Sequence, residues 1–123
     1  MSSQDKLDTC NSELIRLFNE VIKHRDCTII CGRRDKQAQD KAYADGKSKV
    51  EYPRSFHNRF PSRAVDVAPY FKEKPHIRWD DVDSFREFGN FVLGVAAVLN
   101  IPIEWGGHWK EFFDGVHFQL KGG

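Results

Sequence analysis

Four residues in this chain have the types and spacing of a hydrolytic metal centre: His57, Asp66, His117 and Asp114. Two imidazoles and one carboxylate make a common ligand set for catalytic zinc, leaving a fourth position for water. A metal held in this way brings the pKa of its water toward neutrality and polarises the carbonyl under attack. The chemistry also needs a general base that is not consumed as a ligand. Asp114 lies three residues before His117, across a turn at Gly115, so it can stand beside the metal without binding it.

Taken singly, each residue has an ordinary explanation. His57 lies on a long loop, where a surface histidine is commonplace. Asp66, between Val65 and Val67, could be an edge residue or a buried partner for Arg63 or Arg34, and His117 could be a satisfied core or surface histidine. Spacing alone makes only a modest case for a metal, and His24, His76 and His108 are read as ordinary.

The elements that must position these residues can be read from periodicity. Leu7, Leu14, Leu17, Phe18, Val21 and Ile22 fall on one side of a helix expected over 5–24. A strand is expected at Cys27–Cys31, stopped by Gly32, and a helix from Lys36 to Asp45 with Gly46 as its stop. Residues 47–62 hold two prolines and no periodicity, so they read as a long loop of the kind that carries function. Arg63 to Ala68 alternates like a strand, with Asp66 on the face of Ala64 and Ala68, opposite the two valines. Asp80 to Leu99 is a helix with Asp80 or Asp81 as N-cap and Asn100 as its end. Ile101–Trp105 and Val116–Leu120 are closing strands. Helices and strands without regular βαβ alternation indicate an α+β fold.

The totals bound the function. The 123 residues make a single domain spanning the chain, and 40% apolar content with 10 Phe is enough for a core. With 19 basic against 18 acidic side chains, no field for nucleic acid is expected. The stretch from Phe91 to Leu99 is too short to span a bilayer, so no stable membrane association is expected, and no secretory signal opens the chain. Cys27 and Cys31, about 13 Å apart along a strand at about 3.3 Å per residue, cannot bridge each other. The three cysteines read as reduced, buried thiols of a protein made in the cytoplasm.

The run from Ser55 through His57, Pro61, Ser62, Ala64, Asp66 and Pro69 to Tyr70 resembles the zinc signature of the D-alanyl-D-alanine carboxypeptidase and L-alanyl-D-glutamate endopeptidase family, phage endolysins above all. The likeness extends to Cys31-Gly-Arg-Arg34, Gln39, Gly46-Lys-Ser-Lys49, Trp79-Asp-Asp81, Trp105-Gly-Gly107 and Asp114-x-x-His117-Phe, over roughly residues 26–120. The resemblance implies one zinc ion per chain on His57, Asp66 and His117, in a small domain whose antiparallel sheet is flanked by helices. It implies Asp114 as the base that activates water. Arg34 would face the substrate and stabilise its negative charge. Ser55 and Gln39 would be substrate contacts or supports behind the ligands. The implied partner is bacterial peptidoglycan, cut in its stem peptides by a monomer made in the host cytoplasm and released to the wall by another route. D-Ala-D-Ala carboxypeptidase activity, or a silent metal-bearing wall-binding module, stands as the alternative. Three departures concern the surroundings: His57 and Asp66 are nine apart, two more than in the shorter signature, His108 stands where Asp is usual, and the stretch from Trp109 to Asp114 is unusually short.

Overall fold

The computed structural model describes residues 2–122. Two helices open the chain where periodicity predicted one: α1 (Ser3–Leu7) and α2 (Ser12–Val21). Asn11 makes the break, its side chain accepting the Glu13 N–H at 2.9 Å as the N-cap of α2. The freed segment binds the chain just before the site strand: Asn11 N–H donates to the Ser62 carbonyl at 2.8 Å, and Ser62 N–H to the Thr9 carbonyl at 3.0 Å. Leu7, Leu14, Leu17, Phe18 and Val21 are buried as expected, but Ile22 is half exposed because the helix has already ended.

The remaining elements are β1 (Cys27–Cys31), α3 (Lys36–Ala44), β2 (Ala64–Pro69), α4 (Val82–Leu99), β3 (Ile103–Trp105) and β4 (His117–Leu120). Single 3-10 turns occur at Phe56–Asn58, inside the long loop, and at Gly106–His108. Asp81 caps α4 by accepting from the Ser84 N–H, and Asn100 ends it in the left-handed conformation at φ 58°. Both closing strands are shorter than the apolar runs that announced them. Among the described residues, no helix is long and apolar enough to cross a membrane.

The strands form one antiparallel sheet in the order β1-β2-β4-β3, giving the α+β class read from the sequence. Strand β2 is buried along its whole length and has two unlike faces. Val65 and Val67 join Phe18, Phe88 and Phe118 in the core under α2 and α4. Asp66 points away from that core, with Ala64 and Ala68, which is why a carboxylate is tolerated in a fully buried strand. Small alanines beside it leave room above the sheet.

Strand β1 does not follow β2 evenly. Ile29 pairs with Val67, but Cys31, two residues on, pairs with Asp66 only one residue away. This bulge at Ile30 reverses the alternation, so Cys31 shares the face of Asp66 instead of the core face of Cys27 and Ile29. Strand β4 then places His117 opposite Asp66. Cys31, Asp66 and His117 therefore form a row across three strands.

Gly32 ends β1 against α1, and a Cβ there would collide with the Lys6 carbonyl and the Thr9 hydroxyl. The Thr9 hydroxyl meanwhile accepts the Arg33 N–H at 2.8 Å. Gly32→Ala is expected to destabilise the fold by about 1–3 kcal/mol, the usual cost of overpacking. Urea denaturation measures this, and an unchanged midpoint would show that α1 yields freely.

Candidate active site

The site is assembled on the Asp66 carboxylate. Its Oδ2 accepts from Arg34 Nη2 at 3.3 Å, while Oδ1 faces His57 Nε2 at 3.3 Å and His117 Nδ1 at 3.2 Å. Each imidazole is turned by a bond at its other nitrogen. His57 Nδ1–H donates to the Gly32 carbonyl at 2.7 Å, and His117 Nε2–H donates to Gln119 Oε1 at 2.8 Å. In a neutral ring, pinning one nitrogen as the donor leaves the other free to bind a metal. Two ring nitrogens thus converge on one carboxylate oxygen, an arrangement that needs a proton or a metal cation between them. His57 is 1% exposed, and its Nε2 has no hydrogen-bond partner. A buried orphan acceptor of this kind calls for a cation.

The spacing suits a metal. Bonds of about 2.0–2.1 Å in a tetrahedron put neighbouring ligand atoms about 3.3 Å apart, and the two separations observed are 3.3 and 3.2 Å. Cys31 lies in the same group: its sulfur, a His57 nitrogen and an Asp66 oxygen all fall within 4.8 Å of one another. The chain therefore carries a Cys/His/Asp cluster able to coordinate a metal ion, with His117 against the same carboxylate.

Arg34 is locked in place. Its Nη1 donates to Gln39 Oε1 at 3.1 Å, and its backbone N–H to the His57 carbonyl at 2.7 Å. Gln39 is fully buried, and its amide nitrogen donates to Ser48 Oγ and the Val50 carbonyl, both at 2.8 Å. Ser55, also buried, caps the 3-10 turn by accepting the His57 N–H at 3.1 Å. Of the two roles open to Ser55 and Gln39 in the sequence, this burial favours support over substrate contact.

Asp114 is tied by its backbone to the same place. Its N–H donates to the Gly106 carbonyl at 3.1 Å and its carbonyl accepts from the His117 N–H at 3.2 Å. Gly106 permits the approach, since a Cβ there would stand 2.5 Å from the Asp114 carbonyl oxygen. Burial, and then the negative charge of Asp66, raise the Asp114 carboxyl above its ordinary value, while His117, His57 and Arg34 act against the rise.

Residues 1–120 match the family model described as phage L-alanyl-D-glutamate peptidase. The chain belongs to that family. It is also similar to the peptidoglycan L-alanyl-D-glutamate endopeptidase CwlK of Bacillus subtilis, with 33% identity over 104 residues, 77% of this chain. The chain spans about 60% of the length of that relative. Among solved structures, the Serratia marcescens L-Ala D-Glu endopeptidase ChiX superposes with a TM-score of 0.81 at 27% identity, covering 98% of this chain and 86% of that one.

Three site features of this family member were not singled out in its sequence. Cys31 reads in the sequence only as one of three reduced, buried thiols, and regular alternation would put it beside Ile29. Gln119 carries no signal beyond standing two residues after His117, on the same strand face. Trp109 packs its ring 5.0 Å from that of His117 while its Nε1–H donates to Glu104 at 2.6 Å. His108 instead packs against Trp105, with ring centroids 4.9 Å apart.

The metal-free protein has a definite pH signature. Burial pushes the His57 ring down, but the charge and hydrogen bonding of Asp66 outweigh it and raise the ring to about 10. Burial likewise raises Asp66, yet His57 and His117 hold it well below the usual carboxylate range. A group raised above its unfolded value stabilises fully below that value, here 6.5, and the gain is lost as pH rises through about 10. The Asp66 contribution has the opposite sense, present above 3.8 and lost only as pH falls through its depressed value. Metal-free protein should therefore lose stability steadily on the alkaline side, as thermal melts will show. Zinc added at neutral pH should displace the His57 proton and acidify a weakly buffered solution. Zinc uptake without proton release would place the ion elsewhere.

Proposed function

We propose that the chain is a zinc-dependent endopeptidase that cuts the L-alanyl-D-glutamate bond in peptidoglycan stem peptides, using one zinc on His57, Asp66 and His117. The observation that carries this reading is the convergence of two imidazole nitrogens on Asp66 Oδ1, at 3.3 and 3.2 Å. The names of CwlK and ChiX, both L-Ala–D-Glu endopeptidases, support the choice of bond.

Zinc held there would polarise the scissile carbonyl and acidify a water. The remaining steps belong to the chain. Asp114, half-buried and raised, takes the proton from the attacking water and passes it to the departing amine. A carboxyl nearer neutrality suits both halves of that transfer better than one of ordinary acidity. Arg34 spends two of its donors on Asp66 and Gln39. Its other N–H groups are left for a substrate carboxylate or the oxyanion. Because Arg34 is held from both sides, it needs no reorganisation when charge develops. Trp109 lies against the His117 ring, with centroids 5.0 Å apart. We further propose that the enzyme is made in the bacterial cytoplasm and reaches the wall through another protein's agency.

Digestion of purified peptidoglycan, followed by mass spectrometry, tests the proposal. New amino termini on glutamate, abolished by a chelator and restored by zinc, are the expected products. Free D-alanine would mean a carboxypeptidase, and new reducing ends a glycosidase. Zinc and wall binding without any released amine would mean a silent binding module.

A further inference from the structure

We propose that Lys49 is a specificity residue of this site, whose ammonium takes a free carboxylate of the stem peptide on the leaving side of the scissile bond. The inference rests on the peptidase reading of the site and extends it to the part of the substrate that the cleft selects. Contacts from both sides of Asp66 lead to this lysine. On one side Arg34, paired with Asp66, donates to Gln39 Oε1 at 3.1 Å. Gln39 Nε2 in turn donates to Ser48 Oγ and the Val50 carbonyl, both at 2.8 Å, so the residues flanking Lys49 hang on a fully buried amide. On the other side the His117 ring lies 5.0 Å from that of Trp109, and the Trp109 ring 5.4 Å from that of Phe112. The two sides join where Lys49 Nζ stands 5.6 Å from the centre of the Phe112 ring. The loops before β2 and before β4 thus meet through one cation and one ring, in a circuit that begins and ends on Asp66.

The charge is available to a ligand. Lys23, Lys36 and Lys41 each have a carboxylate partner, but Lys49 makes no salt bridge among the described residues. Lys49 is exposed, and so is Phe112, at 38%. A cation over an exposed ring is held weakly, whereas a carboxylate offers it a charge-assisted hydrogen bond. The substrate carries acid on one side of the cut only. Alanine's carboxyl is the carbonyl under attack, while glutamate has two carboxyls and needs one to continue the chain. A diaminopimelate in third place adds another free carboxylate further along. Either acid lies on the leaving side, so Lys49 would also fix which way the peptide runs through the cleft.

Steady-state cleavage of three synthetic peptides tests this: L-Ala-D-Glu-diaminopimelate-D-Ala, and the same peptide amidated either at the free glutamate carboxylate or at the side-chain carboxylate of diaminopimelate. Wild type should lose about 10–100-fold in kcat/KM, mostly through KM, on at least one amidation, the range expected for a hydrogen bond between charged groups. Lys49→Met should erase the penalty of one amidation by cutting the free acid as slowly as its amide, and the penalty erased names the carboxylate. Lys49→Arg should restore it. Lys47→Met removes the same net charge from an exposed neighbour and should keep the wild-type preference. Every penalty persisting in Lys49→Met would assign the carboxylates to Arg34 and overturn the proposal. A preference lost equally in Lys47→Met would reduce it to general attraction, and a wild type indifferent to amidation would leave it without a basis. Wild type that cuts none of the three between alanine and glutamate would sink the peptidase reading, and this proposal with it.

Discussion

Asp114→Ala is expected to keep its full zinc content and lose about 10²–10⁴-fold in turnover, the range that a positioned acid–base group contributes. The structure separates Asp114 from the ligands. Its backbone is bound to Gly106 and His117, while ring nitrogens of His57 and His117 meet at Asp66. Removing its side chain leaves His57, Asp66 and His117 in place, so the zinc content should be kept. Metal analysis of the purified variant beside its rate on peptidoglycan gives both numbers. Zinc lost together with activity would mean that Asp114 is a ligand and that base and ligand have been exchanged.

Asp66→Ala should fail more completely. One carboxylate serves Arg34, His57 and His117, so its removal abolishes zinc binding and leaves the Arg34 guanidinium, 15% exposed, without its anion. Removing one partner of a buried pair typically costs about 3–5 kcal/mol. Metal-free wild type is the correct reference, because it isolates the pairing from the stabilisation that a bound ion adds. Asp66→Asn keeps the shape and removes the charge, so it should lose zinc while recovering part of the folding stability. If Asp66→Ala matched metal-free wild type in urea, the ion pair with Arg34 would contribute nothing to the fold.

Much of this was legible in the sequence, and the misses have physical causes. The strand at Cys27–Cys31 and the α4 helix ending at Asn100 follow from β-branched runs, helical spacing and a left-handed cap. Asp66 announced itself by polarity among valines, and alternation correctly set it on the face of the two alanines. The break between α1 and α2 was hidden because Leu7 and Leu14 keep helical phase across it. What breaks the helix is the Asn11 cap together with bonds to Ser62, more than fifty residues away. Cys31 was hidden for a related reason. A bulge leaves no mark in composition, and one extra residue in a strand inverts every inference about which way the following side chains point. The partners of Gln39 and Gln119 are equally silent in sequence, because an amide shows its role only through what it touches.

The hold of Arg34 on the second oxygen of Asp66 bears on which ions the site admits. With Oδ2 taken up by the guanidinium, the carboxylate has one oxygen to give, and the other proposed donors are imidazole nitrogens. Calcium seeks six to eight oxygens and often a carboxylate gripping with both, while magnesium keeps an octahedral shell of oxygen and water. Neither finds its coordination here, however abundant it is in the surroundings. An arginine usually credited to the substrate would thus also act as a filter on the inorganic side, keeping the centre for ions content with few and softer donors.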